Sequence, residues 1–419
     1  MKLCIYRGTN EIGGNCVEIA SKKTRILMDA GIPLISMEQR DVPLDEYRVP
    51  CSGLYKNCGK NDSPVNAIFI SHGHPDHYGM LPIIDPKIPV YMSKTLHQIL
   101  LKIQPLLPGK FDISHLDIRD IEPNETVKVG DVYVTARAVD HAPAAFAYEI
   151  EHNGKRVVYT GDIRFHSNQK YKSWNLAKKA KNPDYLIMEG TRLSRPESRE
   201  KYPTENAVCR GIKKLIANSG KLTFISLSSQ NLDRLVSVIK ACRATGKTFV
   251  IDPYTAALFD IFHELSPNFP RVGDVSCVRI YYGVSDAMAK RMKDAGLFYT
   301  HKMQKITKEE IADNPDKFVI KYNLKLAQYL VKNVIKDYDF IYSMWHGYME
   351  RSNMWNRYKK HLTEIHTSGH AAVADLQKFV KRIKPKNLVP IHTECKNEYV
   401  NIFKGQNVIV LDDNKSKRI

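Results

Sequence analysis

Ser71-His72-Gly73-His74-Pro75-Asp76-His77 sets three histidines and an aspartate within six residues, directly after the apolar run Ala67-Ile68-Phe69-Ile70. The chain holds 15 histidines in 419 residues, so composition alone does not account for the cluster. A short apolar run closed by a polar turn reads as a buried strand. His72 and His74 are two apart, and on extended backbone they point to one side and can share a metal. Asp76 and His77 lie in the turn beyond and can reach a second one. Imidazole with carboxylate suits Zn²⁺, and also Mn²⁺ or Fe. Two such ions about 3.5–4 Å apart form a phosphoester-cleaving device. A solvated His-rich turn is the bland alternative, and the preceding strand weighs against it.

The same strand-then-reactive-residue pattern recurs on both sides of this stretch. Thr24-Arg25-Ile26-Leu27-Met28 runs into Asp29, Arg156-Val157-Val158-Tyr159 into Thr160-Gly161-Asp162, Tyr185-Leu186-Ile187-Met188 into Glu189, and Leu388-Val389-Pro390-Ile391 into His392. Layered α/β folds build sites from such strand ends on one edge. Asp162 is a candidate bridging carboxylate, and His141, after the strand-like Val132 to Val139, a candidate to complete the first metal's set. Asn153-Gly154 marks a hairpin turn, and Thr126 to Thr135 reads as another hairpin. Antiparallel hairpins favour a mixed sandwich over a doubly wound parallel sheet.

From about Ser194 to His361 the pattern changes to alternating helix and strand. Asn206 to Asn218 and Asn231 to Ala244 have helical spacing; Lys221 to Leu227 and Thr248 to Ile251 read as strands. Site-like residues resume at His366, His370 and His392. The expected layout is a first domain in two parts, 1–192 and 363–419, with a second α/β domain inserted at 193–362. Lys and Arg exceed Asp and Glu by 63 to 45, a net charge of +18, which suggests a polyanionic partner, nucleic acid first. The 43% hydrophobic content excludes general disorder. No apolar run reaches the roughly 18–20 residues of a membrane helix, and the opening lacks a signal-peptide core. Eight cysteines, Cys51 and Cys58 among them, form no Cys-x-x-Cys pair and read as reduced thiols. A soluble cytoplasmic protein without membrane contact is expected.

Taken in order, Asp29, His72/His74/Asp76/His77, His141 and Asp162 resemble the successive motifs of the metallo-β-lactamase superfamily. The resemblance implies a four-layer αββα sandwich with a dinuclear metal site at one edge. Met188-Glu189-Gly190-Thr191, Thr367-Ser368-Gly369-His370-Ala371 and Val389-Pro390-Ile391-His392-Thr393-Glu394 resemble the three further motifs of its β-CASP nuclease branch, which carries an inserted domain. The opening Arg7-Gly8-Thr9-Asn10-Glu11-Ile12-Gly13-Gly14-Asn15 is similar to that of ribonuclease J. The third motif reads His-Thr-Glu where His-Gly-Glu is usual, and the sequence ends soon after it, as in a ribonuclease J without its C-terminal domain. The resemblance implies a metal-dependent ribonuclease of single-stranded RNA, exonucleolytic, endonucleolytic or both, using a hydroxide between two divalent ions, Zn²⁺ or Mn²⁺. His72, His74, His141 and Asp162 would hold one ion; Asp76, His77, Asp162 and His392 the other. Asp76 would also orient the hydroxide, Asp29 support the ligand loops, and Glu189 orient ligands from behind. Histidine rather than valine at 392 points to RNA over DNA.

Several elements stay open between function and packing. His370 precedes a helix whose apolar face is Val373, Leu376, Val380 and Ile383, with Thr367 or Ser368 as its cap. There Ser368, Gly369 and His370 form a phosphate seat in which His370 holds an oxygen or protonates the leaving group, or His370 is simply a helix-start residue. Ser228 and Ser229, between a strand and a helix, are a second phosphate seat or a capping turn. Lys378 to Lys386, with five positive charges and no acid, is a solvated face or the border of a nucleic-acid path. Tyr342 to Tyr348 stacks bases or packs a core. The rival readings are a DNA nuclease of the same fold, a small ester or thioester hydrolase, and a nucleic-acid-binding protein with a vestigial metal site.

Overall fold

Period-2 burial shapes the strand behind the histidine cluster. Ala67 and Phe69 face one core and Ile68 the other, and all three are fully buried. The computed structural model describes every residue except 35–41, 57–62, 107–110, 196–202 and 299, so Cys58 lies outside the described residues. The chain divides into two units. The first comprises Met1–Leu100, Lys110–Tyr202 and Gly369–Ile419, and the second Leu101–Gly109 and Pro203–Ser368.

The first unit holds two sheets. One has seven strands: β1 (Lys2–Arg7), β2 (Cys16–Ala20), β3 (Arg25–Met28), β4 (Ala67–Phe69), β5 (Val90–Ser93), β6 (Ile118–Ile121) and β19 (Lys415–Arg418), in the order β19-β1-β2-β3-β4-β5-β6. The other has six: β7 (Thr126–Val129), β8 (Val132–Ala138), β9 (Phe146–His152), β10 (Lys155–Tyr159), β11 (Tyr185–Glu189) and β18 (Asn387–Ile391), in the order β18-β11-β10-β9-β8-β7. Ile26, Met28 and Phe69 of the first sheet share one buried core with Val134, Tyr148, Ile187 and Val389 of the second. The second sheet's outer residues, Val158, Leu186 and Leu388, pack with Leu176, Leu376 and Phe379 of the helices Tyr171–Lys179 and Val373–Ile383. On the first sheet, Leu27, Ile68, Val90 and Met92 are buried away from the shared core, as are Leu96 and Leu100 of the helix Lys94–Ile103. This is the αββα sandwich.

The two expected hairpins form. Lys155 pairs with His152 across Asn153 (φ 49°) and Gly154 (φ 74°), the left-handed pair that a two-residue turn needs to match strand twist. Thr126 pairs with Thr135. Pairing is parallel where the site is built: β3 with β4, β10 with β11, and β11 with β18. All these strands therefore deliver their C-terminal ends to one edge.

The second unit holds a six-stranded sheet: β12 (Leu222–Ser226), β13 (Thr248–Ile251), β14 (Val278–Ile280), β15 (Phe318–Lys321), β16 (Tyr338–Tyr342) and β17 (Leu362–Glu364), in the order β14-β13-β15-β12-β16-β17. Every pairing is parallel, so both faces are covered and the strands are almost continuously apolar. Val208, Ile212, Leu235 and Phe259 pack one face; Leu326 and Leu330 pack the other. Arg234 is fully buried. Its Nε donates to Glu205 Oε1 at 2.7 Å, and its Nη1 to the Ser343 carbonyl at 3.0 Å. Tyr342 is core and lies edge-on to Trp355 at 5.0 Å, so it is not a base-stacking surface, whereas Tyr348 is exposed beside Trp345. Among the described residues no helix is long and apolar enough to cross a membrane.

Candidate metal centre

Most site residues of the first unit follow a strand or end one, while Asp76 and His77 lie in the helical turn Pro75–Tyr78. Asp29 follows β3, His72 and His74 follow β4, His141 follows β8, Asp162 follows β10, Glu189 closes β11, and His392 follows β18. Asp29 (φ 60°) and His392 (φ 52°) both sit in left-handed backbone, which turns each side chain sharply out of its strand. That conformation costs a non-glycine residue about 1 kcal/mol or more.

The donors meet at Asp162. Its Oδ2 lies 3.6 Å from His72 Nε2, 3.5 Å from His141 Nε2, 3.3 Å from His77 Nε2 and 3.8 Å from His392 Nε2. His74 Nδ1 is 3.0 Å from His72 Nε2 and 3.1 Å from His141 Nε2. His392 Nε2 is 3.2 Å from Asp76 Oδ2. Among the described residues three groups bring their donor atoms within 4.8 Å of one another: His72, His74, His141 and Asp162; Asp76, His77 and His392; and Asp162, Glu189, His370 and His392.

Partners on the far side of the His77, His141 and His392 rings fix which nitrogen faces inward. Asp29 Oδ2 accepts from His77 Nδ1 at 2.7 Å, from Ser71 Oγ at 2.8 Å and from Tyr159 OH at 2.6 Å, while its Oδ1 accepts from the Ser71 N–H at 2.7 Å. His141 Nδ1 donates to the Gly369 carbonyl at 2.8 Å. His392 Nδ1 lies 2.8 Å and His370 Nδ1 3.1 Å from Thr191 Oγ1, whose own proton goes to Glu189 Oε2. Glu189 Oε1 accepts from the Ile163 N–H at 2.9 Å, and Glu189 also contacts His370 Nδ1 at 3.2 Å. Such outer partners set tautomer and ring angle at metal sites. The His77 turn is itself seated by backbone bonds from Ala30 N–H to the His77 carbonyl and from Asn15 N–H to the Asp76 carbonyl. Gly31 permits that approach, since a Cβ there would meet the Asp76 carbonyl oxygen at 1.7 Å.

The residues fit divalent metal. His77 Nε2 and Asp162 Oδ1 are buried and make no hydrogen bond among the described residues, an expensive state for polar atoms unless something else satisfies them. Burial holds His72, His74 and His141 below the usual imidazole range, which keeps their lone pairs free, the ligand state. Burial would lower His77 as well, but Asp162, Asp29 and Asp76 together raise it well above that range. Burial opposes ionisation of Asp162 and Asp76. His392, His77 and His370 nevertheless hold Asp162 well below the carboxylate range, and His77 and His392 hold Asp76 at about 2. His370 is raised by Glu189 and Asp162 against the effect of burial. Its side chain is 22% exposed, while those of His72, His77, His141 and His392 are 1% exposed or less.

Two readings around the site change. Neither Thr367 nor Ser368 caps the helix Val373–Ile383, whose N-cap is Ala372 with no side-chain bond. The Ala371 N–H is taken by the Ile163 carbonyl, so the chain stays extended there, and Thr367 Oγ1 donates to the Pro203 carbonyl. The Gly369 carbonyl accepts from His141 Nδ1. In the second unit Asn231 caps the helix Leu232–Thr245, Ser228 Oγ accepts from the Gln230 N–H, and the buried Ser229 hydroxyl is bonded to Thr255 at 2.8 Å. Capping and packing account for that turn. Thr191, Tyr159 and Ser71 are site residues the sequence reading did not single out; the one signal for Thr191 is its place two residues after Glu189.

Residues 24–216 match a beta-lactamase superfamily domain, and residues 359–410 match the Zn-dependent metallo-hydrolase RNA specificity domain. The chain is 26% identical over 206 residues to a probable RNase MJ4 of Methanocaldococcus jannaschii, covering 45% of each protein. It is 22% identical over 406 residues to ribonuclease J2 of Bacillus subtilis, covering 94% of this chain and 69% of that one. It thus spans under half the length of the first relative and about two-thirds of the second. The crystal structure of a protein of unknown function from Enterococcus faecalis V583 superposes with a TM-score of 0.78 at 22% identity, over 99% of both chains, which establishes the shared fold. On the site's donor set, the sandwich that carries it and these matches, the chain belongs to the metallo-β-lactamase superfamily, in its β-CASP branch.

Proposed function

We propose that the chain is a metal-dependent ribonuclease that hydrolyses phosphodiester bonds of single-stranded RNA. The observation that carries this reading is Asp162 Oδ2, 3.3–3.8 Å from the Nε2 atoms of four histidines, the position of a carboxylate shared by two ion sites. His72, His74, His141 and Asp162 would hold one divalent ion, and Asp76, His77, Asp162 and His392 the other, zinc or manganese by donor chemistry. When bound, such ions lower the pKa of water and offset charge on a phosphate. The chain's residues do the rest. Asp76, ionised, accepts a hydrogen bond from the attacking water and aligns it. His370, whose side chain is 22% exposed, donates a proton to the leaving oxygen or binds a phosphate oxygen. Glu189 and Thr191 hold the His370 ring, and Asp29 holds His77. The choice of RNA rests on the ribonuclease names of the relatives, the RNA specificity domain matched at 359–410, and histidine at 392. The seven described cysteines are free, in keeping with a cytoplasmic protein.

The test is incubation of metal-loaded protein with 5′-labelled single-stranded RNA and matched DNA, and separately with a thioester. RNA cleaved well ahead of DNA supports the reading. Equal cleavage replaces it with a nuclease that does not discriminate, and thioester hydrolysis without cleavage of either replaces it with a small-molecule hydrolase.

A further inference from the structure

The helices Tyr171–Lys179 and Val373–Ile383 pack together on the outer face of the second sheet through Leu176, Ala177, Leu376, Phe379 and Val380. The Arg382 guanidinium lies over the Trp174 ring, 4.3 Å from its centroid, and ties one helix to the other. Their solvent side carries charge of one sign. Residues 166–183 and 376–393 contain no acid. Lys170, Lys178, Lys179, Lys181, Lys378, Lys381, Arg382, Lys384 and Lys386 are all exposed. Asp184 bonds one of them, Lys386, at 2.8 Å, and Asp375 is buried.

Fold stability does not call for this arrangement. A cation in the last turn of a helix gains about 0.3–1 kcal/mol from the dipole, and one or two per helix supply that. Further like charges side by side repel. The topology places the patch. Each helix precedes a parallel strand, β11 or β18, whose far end carries Glu189 or His392. The helices therefore run from the site's edge to the opposite edge, and most of the lysines stand at that opposite end. A five-residue strand spans about 16 Å, too far for a contact with the phosphate being cut.

We propose that this helix pair is a second contact surface for the RNA backbone, holding nucleotides that flank the site of cleavage. It rests on the nuclease reading for the identity of its ligand, and its own test needs no cleavage.

The variant Lys178→Glu/Lys179→Glu/Lys378→Glu/Lys381→Glu is compared with the wild type by fluorescence anisotropy on labelled single-stranded RNA, in chelator, over a range of salt. Each lost phosphate contact lowers the slope of log affinity against log salt by about 0.7. The expected loss of slope is thus about 2–3, with affinity for an RNA of about 30 nucleotides falling at least tenfold. Cleavage of a very short RNA by the metal-loaded protein should stay at the wild-type rate. The control Lys2→Glu/Lys22→Glu/Lys23→Glu/Lys128→Glu makes the same change in net charge at exposed positions elsewhere. Should the four-site variant fail to fold, Lys178→Gln/Lys179→Gln reads the same slope with a smaller change. An unchanged slope, an equal loss in the control, or binding to phosphatidylserine vesicles with none to RNA would overturn the proposal. Wild type that binds RNA through these lysines yet cuts nothing would leave the surface standing and remove the enzyme reading.

Discussion

Thr191 Oγ1 stands 2.8 Å from His392 Nδ1 and 3.1 Å from His370 Nδ1 while its proton goes to Glu189. One hydroxyl thus accepts from two imidazoles and aims both rings. Thr191→Val keeps the shape and removes the acceptor. Outer-partner losses cost about 10- to 100-fold in metal affinity or activity, so the variant should bind its more weakly held ion by that factor less and turn over more slowly. Thr191→Ser should recover most of both. Metal titration against a chromogenic chelator checks it; wild-type affinity in Thr191→Val would show that Glu189 alone orients the rings.

Asp162 and Asp76 would tell the two proposed ion sites apart. Asp162→Ala removes the carboxylate common to both donor sets, and Asp76→Ala removes one ligand of one set. Elemental analysis should find close to two transition ions per wild-type chain, about one in Asp76→Ala and almost none in Asp162→Ala. Because metal binds only the folded site, it should also raise the melting temperature, by an amount that grows with free metal. Wild type that holds no metal as purified or after reconstitution refutes the assignment.

His370 tests whether its group with Asp162, Glu189 and His392 is a ligand set or a proton donor beside one. For a proton donor, His370→Ala keeps its metal and loses about 10²- to 10⁴-fold in turnover. Metal lost in step with activity would make His370 a ligand.

The strands that frame the site were legible because each is a short apolar run with its polar residue at the end. His72, His74, His141, Asp162 and His392 followed from that pattern with spacing and family likeness. What stayed hidden acts through space or through the main chain. The Gly369 carbonyl that holds His141 could come from any residue type, so it has no side-chain signature. Gly31 looks like an ordinary turn glycine until the Asp76 carbonyl is found against it. Arg234 and Glu205 are of types rarely buried unless paired, and their bond across two helices is invisible in one dimension. The capping role given to Thr367 and Ser368 failed because a distant carbonyl, Ile163, had claimed the Ala371 N–H.

The second unit carries an ion pair whose pH dependence has a definite sign. Asp252 caps the helix Pro253–Leu265, its Oδ1 accepting from the Thr255 N–H at 2.7 Å, while its Oδ2 bonds Lys321 of β15. Burial raises the Asp252 pKa, but Lys321 and the Thr255 bonds outweigh it and leave it below the ordinary 3.8. A carboxyl with a depressed folded-state pKa contributes stability in full above its unfolded value, and loses it as pH falls through the folded one. Asp252→Asn keeps a good cap residue and removes only the charge. Near pH 7 it should melt a few degrees below the wild type, as about 1 kcal/mol does in a domain of this size. The gap should hold down to about pH 4 and close below it, where the wild-type carboxyl is protonated too. Asp252→Ala, which loses the cap as well, should leave a residual gap of about 1 kcal/mol at low pH. Thermal melts of the three proteins from pH 7 to pH 3 check this. A gap for Asp252→Asn that is the same at both ends would show that the Lys321 bond adds nothing beyond the cap.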